Sequence, residues 1–243
     1  MPYSHATYTD ISVSALSSNL RSHDVIEKKK EIISSIASHY GKKPESVLFF
    51  GFSALVFGLN NQKIYLTAIT DNTKKFLDEK EVKYTYIDQD DLPNYEKAFD
   101  WVIAGDEFFT FAHSEDDQKN LISLLGKLTK SLIVTTLKDY KNQDFKDREF
   151  SQPLAIRGNE QSTLFIEYHD YDYSEKNAWK TTVYELLGKE TKYYGPFSRR
   201  SMYFKQMAKF SIDAGAKQFF VHKNLMYKSL IKKNYEHVIT ISF

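Results

Sequence analysis

The chain has 243 residues, with 33 Lys or Arg against 32 Asp or Glu, 42% hydrophobic residues and no cysteine. That length suits one large domain, or one of about 150 residues with an appendage, and the missing cysteines exclude disulfides, thiol nucleophiles and thiolate metal sites. No stretch approaches the roughly 20 apolar residues of a membrane span, and Met-Pro-Tyr-Ser-His lacks the charged and apolar runs of a signal peptide, so a soluble, cytoplasmic protein is expected.

Residues 1–23 are polar and serine-rich without a sustained period, and read as an arm or a loose helix from Asp10 to Leu20. From Asp24, a plausible N-cap, the residues Val25, Ile26, Ile32, Ile33, Ile36 and Tyr40 recur mostly at three- and four-residue intervals. This predicts an amphipathic helix that stops at Gly41, with Glu27-Lys-Lys-Lys30 as its solvated face. Four apolar runs rich in β-branched and aromatic residues follow, at Ser46–Ser53, Lys63–Asp71, Val82–Asp88 and Ala98–Asp106. The stretches between them are polar, and two have helical features: a short buried turn after Gly51 and a segment from Thr73 to Glu81 capped by Asn72. Such alternation predicts an α/β fold, a mostly parallel sheet with helices on both faces. In sheets of this kind ligands bind at the carboxyl ends of the strands, where Asp71, Asp88 and Asp106 stand. Next, Ser114 with Asp117 approximates a capping box for a helix with Leu121, Leu124, Leu125 and Leu128 on its buried stripe, and Ser131–Thr136 reads as a fifth strand.

From about residue 25 to 137 this order of features resembles the class I methyltransferases that use S-adenosylmethionine. Val47-Leu-Phe-Phe-Gly-Phe-Ser-Ala-Leu55 stands where that family has an acidic residue and a glycine-rich turn. Gly51 is kept, Ser53 and Leu55 take the later glycine positions, and Phe49 takes the acidic one. Ala68-Ile-Thr-Asp71 stands where the family's ribose-binding acid ends the second strand, with Thr70 in strict register and Asp71 one place on. Asp88-Gln-Asp-Asp-Leu-Pro93 matches the adenine-facing motif, and Phe99–Phe109 matches the fourth strand and its loop. The resemblance implies a Rossmann-like fold and S-adenosylmethionine as cofactor, held by Gly51, Phe52, Ser53, Asp71, Asp88, Gln89 and Asp106. It also implies a methyl acceptor, of unknown identity, approached by the loop that carries Asp106 and His113. Catalysis in such a site is largely alignment, which needs few dedicated side chains. Two outcomes stay open here: a modified cofactor site, or the fold without its chemistry.

Residues 137–161 read as a long loop or a boundary. Leu164–Tyr173 and Trp179–Leu186 read as strands, and the resemblance would make them the antiparallel pair that closes the sheet. His169-Asp170-Tyr171-Asp172 alternates between strand faces, so no metal site is expected. Charge is uneven along the chain. Residues 71–120 hold fourteen acids and six lysines (6 − 14 = −8), whereas residues 192–243 hold ten cations and two acids (10 − 2 = +8). In the latter, Phe197–Phe210 reads as a basic amphipathic helix, Gln218–His222 as a strand, Lys223–Ile231 as a helix and His237–Phe243 as a terminal strand. These patterns divide the chain into an arm (1–23), a methyltransferase-like domain (24–190) and a basic α/β C-terminal region (191–243), either an appendage or packed on the same domain. Arg199, Arg200 and Lys205 are candidates for phosphate contacts and Tyr203 or Tyr227 for base stacking, which would make nucleic acid a partner. The opposed charges fit equally well a homo-oligomer whose acidic and basic faces pair.

Overall fold

In the computed structural model, residues 3–19, 21–59, 61–138, 148–159, 161–171, 177–228, 230 and 235–243 are described. The chain opens with helices α1 (Tyr3–Ser18) and α2 (Ser22–Tyr40). In α2 the isoleucine spacing places Ile32, Ile33 and Ile36 in the core, and Gly41 ends the helix in the left-handed conformation at φ 68°. The helix begins at Ser22, ahead of the expected Asp24 cap.

Val47-Leu-Phe-Phe50 is apolar at every position, a pattern suited to a strand covered on both faces. It forms β1 (Ser46–Phe50), paired in parallel with β2 (Lys63–Thr67) and β4 (Phe99–Ala104). The short β3 (Thr85–Tyr86) extends one side and β5 (Thr129–Leu137) the other, both parallel. Between the strands lie α3 (Asp71–Glu79), capped by Thr70 rather than Asn72, and α4 (Glu115–Leu128). The reciprocal Ser114–Asp117 capping box starts α4. Its buried face carries Leu121, Ile122, Leu125 and Leu128, while Leu124 lies only partly buried.

The downstream strands β6 (Arg148–Phe150), β7 (Leu154–Arg157), β8 (Ser162–Tyr171), β9 (Ala178–Leu187) and β10 (Glu190–Arg200) form a separate antiparallel sheet, ordered β10-β9-β8-β6 with β7 also on β8. Residues 139–147 lie outside the described residues. The pair expected to close the main sheet thus belongs elsewhere. Closure comes from β12 (Tyr235–Ser242), antiparallel to β5, and β11 (Gln218–Lys228), antiparallel to β12, so the main sheet runs β11-β12-β5-β4-β1-β2-β3. The reason is side-chain pattern. In β8 and β9 buried and part-exposed residues alternate, which suits a sheet with one covered face, whereas Val238-Ile-Thr-Ile241 is buried at every position.

The boundary at 190/191 therefore cuts the β9–β10 hairpin, whose register joins Leu187 to Glu190. Gln218–Lys228 and Tyr235–Ser242 are integral strands of the main sheet and not part of an appendage. Phe197–Phe210 is the end of β10 followed by α5 (Phe204–Asp213), and β11 continues as strand to Lys228 where a helix was expected; residues 229 and 231 lie outside the described residues.

The largest departure is α1. Ala6, Tyr8, Ile11, Val13, Ala15 and Leu16 are all buried, and so are the polar His5, Thr9 and Ser12. A helix covered on most sides has no apolar stripe to reveal it, and small polar residues between the apolar ones mask it further.

Candidate functional site

The turn after β1 is held by the backbone. Gly51 N–H donates to the Thr67 carbonyl at 2.9 Å, and Gly51 sits at φ 79°, where glycine is favoured. A β-carbon there would lie 2.6 and 2.7 Å from Cε1 and Nδ1 of His5. The His5 ring, on the first turns of α1, is what covers the glycine. It packs edge-on against Phe108 and Phe111, with centroids 4.9 and 5.0 Å away. Phe52 and Ser53 are buried in the same turn, and Ser53 Oγ accepts from the Leu55 N–H to start a 3-10 turn over Ala54–Gly58.

Farther along α1, Asp10 reaches the end of β2. Its Oδ1 accepts hydrogen bonds from Thr70 Oγ1 and, at 2.7 Å, from Thr73 Oγ1. On the other flank the Tyr8 hydroxyl donates to Glu167 of β8 at 2.8 Å. The first helix thus lies across the carboxyl ends of β1 and β2, the place where sheets of this class bind ligands. Burial first, and the Arg199 cation second, hold the His5 pKa down at about 3, so the ring is neutral at pH 7.

The turn after β4 is strained. Asp106 and Glu107 occupy the left-handed region in succession, at φ 54° and 57°, a conformation that costs a non-glycine residue on the order of 1 kcal/mol or more. Both carboxylates are interior, 3% and 2% exposed. Glu107 Oε2 accepts from Arg199 Nη2 at 2.6 Å; Arg199 Nε donates to Thr110 Oγ1 at 2.8 Å, and the guanidinium lies 4.2 Å from the Phe111 centroid. Asp106 faces a second group of buried polar side chains. Lys29 Nζ donates to the Lys228 carbonyl at 2.7 Å and sits 3.3 Å from the Tyr227 ring centroid. Burial lowers the Lys29 pKa to about 8, with Asp106 and Glu236 opposing the shift. The Tyr227 hydroxyl is pushed well above its usual range by burial and then by the Asp106 charge. Lys29 also lines a cavity of about 1010 Å³ between α2, β7 and β11, whose wall carries the cations Arg21, Lys28, Arg157 and Lys228 and the acids Asp24 and Glu31. That cavity opens beside Lys29, not over Gly51.

The structure therefore gathers Gly51, Phe52, Ser53 and Asp106 at the strand ends and leaves the other expected cofactor contacts outside. Asp71 is exposed and pairs with Lys74 at 3.0 Å. Asp88 faces solvent and accepts a local bond from the Asp90 N–H at 3.3 Å, with Gln89 half-buried beside it. Of the candidate nucleic-acid contacts, Arg199 needs correcting: the Glu107 pair keeps it in the interior, where it cannot meet a phosphate. Arg200 is half-buried and donates to the His113 carbonyl at 3.2 Å, the Tyr203 hydroxyl donates to Asn177 Oδ1 at 3.0 Å, and Lys205 is exposed. His169 contacts Thr181 and Glu167, Asp172 lies outside the described residues, and no three metal-binding side chains gather among the described ones. Tyr227, expected as a base-stacking candidate, is wholly buried and cannot meet a base, and sequence reasoning missed His5, Asp10, Lys29 and Glu236. Lys29 was hidden in a basic run, and the others had no pattern around them.

No family model matches the chain, and no curated protein matches its sequence. Solved structures do match. DesVI from Streptomyces venezuelae has a TM-score of 0.68 at 10% identity, covering 91% of this chain and 92% of that one. CalS10, an amino pentose methyltransferase from Micromonospora echinaspora solved with S-adenosylmethionine bound, has a TM-score of 0.68 at 7% identity over 90% and 91%. An S-adenosylmethionine-dependent methyltransferase from Clostridium acetobutylicum has 0.62 at 11% over 89% and 91%. This chain has the Rossmann-like fold of the class I S-adenosylmethionine-dependent methyltransferases, including its antiparallel closing strands.

Proposed function

We propose that the chain is an S-adenosylmethionine-dependent methyltransferase, of unassigned acceptor, whose cofactor seat is the turn Gly51–Ser53. The observation that carries this reading is the sheet itself. Five parallel strands and an antiparallel closing pair, matched over about nine-tenths of both chains by known methyltransferases, bring Gly51 and Asp106 to the same carboxyl edge.

With α1 docked the residues do not fit the cofactor. The His5 ring fills the space over Gly51, Asp10 takes the hydrogen bonds at Thr70, and Asp71 and Asp88 point to water. What the chain supplies by itself is a rigid, water-excluded turn at Asp106–Glu107, fixed by Arg199, which is the kind of support that alignment of a methyl donor and a nucleophile requires. Titration calorimetry of the full chain with S-adenosylhomocysteine tests the reading. Binding that weakens in Asp106→Asn is expected, and no heat at millimolar ligand, under conditions that loosen α1, rejects it.

The alternative is a fold that keeps the architecture and binds nucleic acid or assembles with other copies. It would leave Phe49, in the position of the family's acid, as a buried core residue and Asp88 as surface charge. In that case the exposed basic face around Lys205 is the candidate surface for nucleic acid, and its affinity would fall steeply with salt. Pairing of copies through opposite charges would instead register as a concentration-dependent mass in light scattering.

A further inference from the structure

We infer that α1 is an intrasteric occupant of the ligand seat: the chain's own first helix stands where a small polar ligand would lie and must leave before that ligand enters. The inference rests on the methyltransferase reading and adds its regulation. Three observations point to it. First, the contact is made at the two positions a ligand would use, His5 against the bare face of Gly51 and Asp10 against Thr70 and Thr73 at the head of α3. Second, the seat is poorly satisfied by its occupant. Among the described residues, Ser12 Oγ on α1 and Thr67 Oγ1 at the end of β2 are buried without a hydrogen-bond partner. Interiors rarely leave such groups unpaired, so a polar lining covered by a helix that cannot satisfy it points to a different preferred occupant. Third, the strain of successive left-handed residues at Asp106 and Glu107 lies beside the same ring, which packs on Phe108 and Phe111 immediately beyond that turn.

Because α1 also buries Tyr8, Ile11 and Leu16, the closed form dominates in isolation. A ligand then sees an affinity reduced by the fraction of molecules that are open. Anything that loosens α1 should tighten ligand binding, the reverse of what damage to a binding domain ordinarily does.

The full chain lends itself to a direct test because it has no cysteine of its own. Asp10→Cys with Thr73→Cys removes both anchoring hydrogen bonds of the Asp10 carboxylate, and closing the pair by oxidation or with a short bis-maleimide locks α1 in place, as mass spectrometry verifies. The probe is S-adenosylhomocysteine, read by calorimetry. The reduced form should bind at least ten-fold more tightly than the unmodified chain, and the locked form should lose detectable binding. Ile11→Ala, which loosens the helix from its apolar side, should reproduce the gain. Equal binding by locked and reduced forms overturns the inference and leaves the methyltransferase reading standing. No binding by the reduced form or by Ile11→Ala, both with folded far-ultraviolet spectra, overturns the cofactor reading and the gating with it.

Discussion

Lowering the pH from 7 to 5 should destabilise this protein through one ring. His5 is held neutral in the folded chain, with its pKa at about 3, whereas an unfolded histidine titrates near 6.5. The folded value lies below the unfolded one, so between them the unfolded chain takes up more protons, and stability is lost as pH falls. At pH 5 the unfolded group is about 1.5 units below its pKa and the folded one still neutral, which at 1.36 kcal/mol per unit is a loss of about 2 kcal/mol. Carboxylates and other histidines titrate in the same window, so the measurement is comparative. His5→Leu, of similar volume and with nothing to titrate, should carry every other contribution unchanged. Urea denaturation at pH 7 and pH 5 should show the wild type losing about 2 kcal/mol more than the variant. If α1 detaches on its own, amide exchange within residues 5–16 should quicken by the equivalent factor of roughly 30 in the wild type alone. Identical pH dependence in the two proteins would refute the burial argument. A global loss without faster exchange in α1 would refute its independent release.

Three further outcomes follow from the buried charges and the turn. Arg199→Ala strands the Glu107 carboxylate in the interior and should cost about 3–5 kcal/mol in a thermal or urea melt; a loss under 1 kcal/mol would mean that Glu107 reaches water. Lys29, lowered to about 8 from 10.5, binds fewer protons folded than unfolded between those values, so stability should rise with pH there. Relative to Lys29→Met the wild type should gain roughly 1.5 kcal/mol between pH 8 and 9.5, and a flat difference would place the ammonium in solvent. Gly51→Ala meets both a left-handed backbone and the His5 ring, and should cost about 1–3 kcal/mol, with part of the loss recovered in a His5→Gly background. Additive losses would separate the two positions.

Much of the parallel core was legible because its signals are local. Runs such as Val47–Phe50 and Trp101–Ala104 admit few alternatives once polar helical stretches separate them, and Ser114 with Asp117 announces a helix start by chemistry confined to four residues. The edges of the sheet were not legible in the same way. Leu164–Tyr171 and Val238–Ile241 both read as strands, and nothing within either says which sheet it will join. That depends on which faces are covered, a property of the assembled chain.

The candidate site divides along the same line. Gly51, Ser53 and Asp106 follow strands, so their gathering at one edge was implied by the order of elements. Asp71 and Asp88 also follow strands yet face water, because the direction of a side chain beyond a strand end is set by the next turn. Lys29 and Arg199 read as surface charge from composition, and only the tertiary structure could place them against Tyr227 and Glu107.

By itself, the sequence determined the alternation of strand and helix, and with it the carboxyl edge where a ligand belongs, since periodicity and capping act over a few residues. Only the folded chain decided what stands at that edge. Residues 3–18 carry little pattern of their own, and His5 meets Gly51 and Asp10 meets Thr70 across some fifty to sixty positions, through packing that no local rule encodes.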